Sequence, residues 1–297
     1  MKDVTIFEKI LLKLDYHRVI KINDITFLKL QYKKKMNRSL NLSNPQTFNE
    51  KLQWLKLYDR KDIYTTMVDK YEAKKYVANI IGEEYIIPTL GIYNSFDEID
   101  FDKLPNQFVI KCTHDSGGLV IVKDKSKMDI KGVKKKINKC LKRNFYYMGR
   151  EWPYKNVKPR ILIEEYMEDE KYHELRDYKF FSFNGKVKCY KIDFNRFVKH
   201  QANYYDTNAK LLKFGEEICP PDFNEKLDMP NGLEKMIYFA EKLSNNIPFA
   251  RIDFYETNNK IYFGEITFFP ASGFGKFVPE EWDRRLGDMI NLKKGDS

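Results

Sequence analysis

The chain has 297 residues, 42% of them hydrophobic and 15% aromatic, which is enough apolar material for a large core in one elaborate domain or two to three subdomains. No apolar run approaches the roughly 20 residues that span a bilayer. The four cysteines (Cys112, Cys140, Cys189, Cys219) form no CxxC pair and have no histidine at metal spacing, so reduced, buried thiols are expected rather than disulfides or a zinc site. The net charge of +10 points to an anionic partner: a nucleotide, an acidic glycan or a phospholipid surface. Nucleic acid is not favoured, because no helix-turn-helix, zinc-finger or ribonucleoprotein signature accompanies the lysines.

In chain order, Met1-Lys-Asp-Val lacks the layout of a secretory signal, so a cytoplasmic protein is expected. Residues 3–36 read as one basic amphipathic helix, with Ile6, Phe7, Ile10, Leu11 and Leu14 on a stripe. It can pack on the body or rest on a membrane surface. Ser43-Asn-Pro-Gln-Thr47 caps a helix that begins near Phe48, and a further helix runs from about Asp62 to Ile81 and stops at Gly82. From Ile86 the pattern turns to strands and short loops, with a small helical or turn segment from Phe96 to Leu104. Gln107 to Lys123 reads strand, glycine loop, strand, and a basic helix with Val133, Ile137 and Leu141 follows. After the aromatic loop Asn144–Tyr154 come two strands, Arg160–Met167 and Asp177–Lys186. A helix near Gly232–Ser244 then leads into a hairpin turning at Thr257-Asn-Asn-Lys260.

That hairpin is the most telling segment. Arg251 and Asp253 lie two apart on one strand, Glu265 and Thr267 two apart on the other, so four polar groups share one face. Two carboxylates beside a guanidinium suit Mg²⁺ held against a nucleotide triphosphate; an ordinary cross-strand ion pair would have the same pattern. Lys111 ends an apolar strand just before Ser116-Gly117-Gly118, whose backbone N–H groups can cradle phosphates, although a plain hairpin turn reads the same and the Walker pattern is absent. Glu164-Glu-Tyr-Met167 can serve as an extended hinge for adenine. Asp177-Tyr-Lys179 puts an acid and a base on one strand face, where an internal ion pair is equally well read. His114, Arg196, Lys199 and His200 can touch an anionic substrate or simply face solvent. No nucleophile with an activating base stands out.

Taken in order, Asn44–Trp54, Lys111–Gly118, Gly149–Tyr154, the Arg251–Pro270 hairpin and Gly273–Lys276 resemble the TupA-like branch of the ATP-grasp family, over roughly residues 40–290. The resemblance implies an α+β ATP-grasp fold, two α+β subdomains gripping ATP. Residues 1–85 would form a helical N-terminal region, 86–170 the smaller subdomain with the glycine loop, and 171–297 the C-terminal subdomain with the metal site. It implies ATP and Mg²⁺ as cofactors. Lys74, Lys111, Ser116, Gly117, Gly118, Glu164, Tyr166, Met167 and Asp177 would surround the nucleotide. Arg251 and Lys179 would be catalytic, and Asp253, Glu265 and Thr267 would face the metal. Thr267 departs from the asparagine of most members. The implied activity is an ATP-dependent carboxylate–amine ligase working through an acylphosphate on a uronic acid or glutamate-like carboxylate of a capsular or cell-surface polysaccharide. His114, Arg150, Trp152, Arg196 and His200 would touch an acidic sugar or amino-acid substrate and its amine. A glycosyltransferase of the same setting would need a DxD-type motif, which is not convincingly present. A noncatalytic nucleotide- or glycan-binding protein is the remaining reading.

Overall fold

A computed structural model describes residues 5–169, 175–195 and 199–292. The N-terminal stretch forms two helices, α1 (Ile6–Tyr16) and α2 (Asp24–Met36), instead of the single helix expected over 3–36. The break comes at Arg18, which takes a left-handed backbone with φ of 59°, and Asn23 starts the second helix by accepting from the Thr26 amide at 2.9 Å. Helix α3 (Phe48–Tyr58) starts where the sequence predicts. Thr47 and Glu50 cap each other's backbone in a reciprocal box, at 3.3 and 3.1 Å.

The helix expected over 62–81 is also two, α4 (Ile63–Val68) and α5 (Glu72–Ile81). Asp69 makes the break by accepting from the amides of Tyr71 and Glu72, while its other oxygen is held by Arg160 at 2.8 Å. Gly82, with φ of 113°, stops α5.

Strands β1 (Thr89–Tyr93), β2 (Phe108–Cys112), β3 (Leu119–Val122) and β4 (Ile161–Glu165) form an antiparallel sheet in the order β1-β4-β2-β3. Between β3 and β4 lie helix α6 (Ile130–Leu141) and the short α7 (Tyr146–Gly149). One face of this sheet packs Phe108, Ile110, Ile161 and Ile163 against Ile137 of α6 and the turns around Phe96 and Leu104.

The second sheet has six strands in the order β11-β10-β5-β6-β7-β8, built from β5 (Asp177–Phe183), β6 (Lys186–Phe194), β7 (Gln201–Asp206), β8 (Leu211–Leu212), β10 (Phe249–Thr257) and β11 (Lys260–Thr267). The small pair β9 (Gly215–Glu216) and β12 (Phe277–Val278) closes one edge, and α8 (Leu233–Leu243) and α9 (Glu281–Asp288) complete the chain. Strand alternation sorts this sheet's residues. Tyr178, Phe180, Tyr190, Ile192, Ile252 and Phe254 enter the main core, where Phe239 of α8 lies against Phe254. The opposite face carries Lys179, Arg251 and Asp253 toward one end, and Phe181 and Phe249, packed with Phe48, toward the other.

Helices α3, α4, α5 and α9 share that main core, whereas α1 and α2 form a small core of their own around Phe27, Leu28, Tyr32 and Phe274. The expected 1–85 segment therefore contributes to two cores.

Candidate nucleotide and metal site

The β10–β11 hairpin turns on Asn258 and Asn259, both with positive φ, the geometry that matches the twist of the flanking strands. The turn sets the pairing as far as Phe254 opposite Phe263, and a β-bulge that leaves Gly264 unpaired then shifts the ladder by one residue. Asp253 stands opposite Glu265, Arg251 opposite Thr267, and on the other side Asp253 stands opposite Lys179 of β5. The four polar residues expected on one face do meet there. Arg251 donates to both oxygens of Asp253 at 2.7 Å, to Glu265 Oε1 at 2.9 Å and to Thr267 Oγ1 at 3.2 Å, and Thr267 donates to Glu265 at 3.1 Å.

Next along the sheet, buried Lys179 contacts Asp177 at 2.5 Å, Asp193 at 3.1 Å and Asp253 at 3.7 Å. Lys191 and Tyr204 both bind Glu216, at 3.1 and 2.5 Å. The acid and base on β5 are thus an internal ion pair within a larger network.

Electrostatics divide the two facing carboxylates. Burial pushes Asp253 up against the pull of Arg251 and Lys179. Glu265, whose side chain is 41% exposed, suffers the same desolvation but is held at about 2 by Arg251, Lys70 and Lys179. Burial would lower Lys179, yet Asp177, Asp253 and Asp193 together raise it.

The facing carboxylates Asp253 and Glu265 together carry the charge that complements one divalent ion. Asp253, Glu265 and Thr267 offer only oxygen donors. Both the charge and the donor set fit Mg²⁺, provided that Arg251 releases Glu265.

On the smaller sheet, Glu164 is buried between two lysines, with Lys74 and Lys111 each 2.5 Å from one of its oxygens. Glu164, expected at the adenine hinge, turns its side chain inward from β4 and ties α5 to β2. Its carboxyl is lowered, because Lys111 and Lys74 outweigh burial. Lys74 also donates to the Ile87 carbonyl at 2.6 Å and Thr89 Oγ1 at 3.0 Å. Tyr166 and Met167 follow on the partly open segment after β4, where the Tyr166 hydroxyl donates to Glu168. Asp177 sits in the Lys179 network rather than beside them.

In the loop between β2 and β3, Ser116 and Gly117 are exposed while the root is anchored. Asp115 accepts from the Gly117 amide at 2.9 Å and pairs with Arg143. Gly118 is required, since a Cβ there would stand 2.6 Å from Cys112 Sγ.

Three features were missed. Lys70, at the α4–α5 break, donates to the Asp115 carbonyl at 3.0 Å and its charge also bears on Glu265, so one lysine links the glycine loop to the hairpin. An aspartate three residues before Glu72 is the cap signal that could have revealed this break. Leu119 and Ile121 pair across from Lys111 and Val109 and are 43% and 45% exposed, an open apolar surface suited to a flat aromatic base. Asp193, His200 and Cys219 also come within 4.8 Å of one another, although nothing in their sequence spacing predicts it. Lys179 stands 3.1 Å from the Asp193 oxygen that faces His200, so an ammonium already fills the cation's place there.

Of the residues expected at the substrate, Arg150 and His114 are buried in internal contacts. Arg150 is buried at 1% exposure, ion-paired to Asp15 at 2.7 Å and Asp24 at 3.1 Å and seated on the Phe27 ring. It fastens the N-terminal helices to the loop after α7. His114 is buried against the Cys140 carbonyl at 3.1 Å. Trp152 is half-buried, and its neighbour Tyr154 feels the charges of Glu151, Glu265, Arg251 and Asp115, which sets it between the hairpin and the glycine loop. His200 is 41% exposed, 3.3 Å from Asp193. Arg196 lies outside the described residues. All four cysteines are free and buried, as expected.

The sequence model of the TupA-like ATPgrasp family matches residues 50–291. No curated protein sequence matches the chain. Similar solved structures include a D-alanine–D-alanine ligase from Bacillus anthracis, at 17% identity and TM-score 0.41, with 75% of this chain and 66% of that one covered. A D-alanine–D-alanine ligase from Helicobacter pylori has 15% identity and TM-score 0.41, over 84% and 70%. A biotin carboxylase–β,γ-ATP complex from Campylobacter jejuni has 14% identity and TM-score 0.41, over 78% and 48%. The chain therefore spans about two thirds of the length of the ligases and about half that of the carboxylase.

Proposed function

The chain belongs to the TupA-like ATP-grasp family, and from that premise we propose that it is an ATP-dependent ligase that joins a carboxylate to an amine. The observation that carries the reading is the convergence of Arg251, Asp253, Glu265 and Thr267 on paired strands, with Lys70 linking them to the glycine loop. In this reading Lys74 and Lys111 exchange part of their hold on Glu164 for phosphate oxygens. The exposed Ser116-Gly117 tip covers the phosphates, and Leu119 and Ile121 receive the base. Arg251 turns its guanidinium from Glu265 to the transferring phosphoryl group. Asp253 and Glu265, with Thr267, hold Mg²⁺, which when bound neutralises phosphate charge.

The chemistry needs positioning and charge more than a protein nucleophile. A substrate carboxylate oxygen attacks the γ-phosphorus and ADP leaves. The amine nitrogen then attacks the acyl carbon, phosphate departs with the original carboxylate oxygen, and the nitrogen loses a proton. The reading extends to a uronic acid or glutamate-like carboxylate of a cell-surface polysaccharide made in the cytoplasm. It draws on the family setting and on Trp152 and Tyr154, flat rings apt for sugar faces beside the hairpin.

The test is purified protein incubated with ATP, Mg²⁺, uronic or amino acids and small amines. ADP and phosphate formed only when both cosubstrates are present support the ligase. Sugar transfer without ADP formation would sink it.

A further inference from the structure

Helix α1 buries one face and leaves the opposite one without a partner among the described residues. Leu12 and Asp15 point inward, whereas Ile6, Phe7 and Ile10 are 78%, 67% and 49% exposed. At about 100° per residue, Ile6, Ile10 and Leu14 form one stripe opposite Asp15, with Phe7 along its edge and Lys9 and Lys13 flanking it. The apolar surface continues at the corner before α2, where Val19 is 67% exposed between Arg18 and Lys21.

The charge on this part of the surface has one sign. Residues 6–36 hold eight lysines and arginines and three acids. Each acid is already engaged: Glu8 by the Thr5 amide and Lys33, Asp15 by Arg150, and Asp24 by Arg60 and Arg150. The surface presented outward is therefore apolar with a lysine and arginine border. A second copy meeting it about a two-fold axis would set lysine against lysine. An acyl interface beneath anionic headgroups satisfies both components at once, with the lysine stems lying along the acyl boundary and their ammoniums among the headgroups.

We propose that α1 and the α1–α2 corner dock this protein on the surface of an anionic lipid bilayer, lying in the interface rather than crossing it. No helix among the described residues is long and apolar enough to span. The docking rests on this surface alone and is independent of the ligase reading.

Co-sedimentation of the full chain with vesicles tests it, using phosphatidylcholine alone and phosphatidylcholine mixed with phosphatidylglycerol, at low and high salt. The chain should bind the anionic vesicles, bind them less at high salt, and ignore the neutral ones. Phe7→Glu with Ile10→Glu should weaken partitioning about tenfold or more, because both side chains are exposed in solution and buried only at the interface. Lys9→Glu with Lys13→Glu should abolish the preference for anionic lipid. Unchanged circular dichroism and melting in both variants show that docking alone was altered. Equal binding to both vesicle types, or binding unchanged in the Phe7/Ile10 variant, overturns the proposal. So does a dimer in sedimentation equilibrium that the same variant dissolves without any vesicle binding.

Discussion

Asp253 and Glu265 face each other across two strands and share one guanidinium, and their surroundings pull them apart. The enclosed one is pushed up by burial and the more open one is held at about 2. In the proposed site Asp253→Asn and Glu265→Gln should each lower ADP formation by at least about a hundredfold, since each would remove a preorganised charge beside the transferring phosphate. Both variants should keep the native circular dichroism, with Asp253→Asn melting lower because it weakens the buried hold on Arg251 and Lys179, and turnover at the wild-type rate would remove both residues from the site. At Glu164 the question is stability. Its carboxyl is held below the ordinary 4.5, so its contribution is full above that pH and is lost as pH falls through the lowered folded value. Glu164→Gln strands two lysines and should cost about 3 kcal/mol at neutral pH. In melting experiments the gap to wild type should close below pH 4.5, where protonated Glu164 resembles glutamine; a gap constant with pH would contradict the pairing. Strand period put Arg251 with Asp253 and Glu265 with Thr267, but the two pairs share a face only because a β-bulge at Gly264 shifts the ladder by one residue, which the spacing did not reveal. It was also silent on Glu164 and Lys70, whose partners come from elements far away in the chain.

The hairpin is the element whose local chemistry matches its place. Asn258 and Asn259 supply the left-handed backbone that a twisted two-residue turn needs. Asn259→Gly should therefore be neutral or slightly stabilising, whereas Asn259→Ile should cost about 1–2 kcal/mol in denaturant unfolding. Equal stability of the two would mean that the left-handed backbone at Asn259 is not required by the turn. Helices were read with the right faces but not the right ends. The apolar stripes of 3–36 and 62–81 run on past Arg18 and Asp69, and the breaks are made by a left-handed residue and by an aspartate pinned to Arg160. Arg150 belongs to this scale too. From the loop after α7 it holds Asp15 and Asp24, so Arg150→Met should destabilise the fold by about 3–5 kcal/mol through stranded acids. The KM of the folded protein should stay unchanged; a raised KM with normal melting would return Arg150 to the substrate.

Across the whole molecule, the glycine loop belongs to the smaller sheet and the hairpin to the larger one, and Lys70 and Tyr154 feel both. The alternation of apolar and polar residues made the strands and the fold family legible in the sequence. How the lysines and carboxylates pair was not legible, because those pairs form only once both sheets and α5 are assembled. The same assembly explains why Arg251, Lys74 and Lys111 are already engaged by acids: in the proposed reading nucleotide binding is an exchange of partners, with Arg251 leaving Glu265 and the two lysines loosening from Glu164. The central claim is that the substrate's own carboxylate takes the phosphoryl group. It is tested most directly by supplying the accepted carboxylate labelled with ¹⁸O and examining the released phosphate by mass spectrometry. Transfer of one labelled oxygen to each phosphate is the result predicted; phosphate carrying no label, while ADP and product accumulate, would contradict the acylphosphate route.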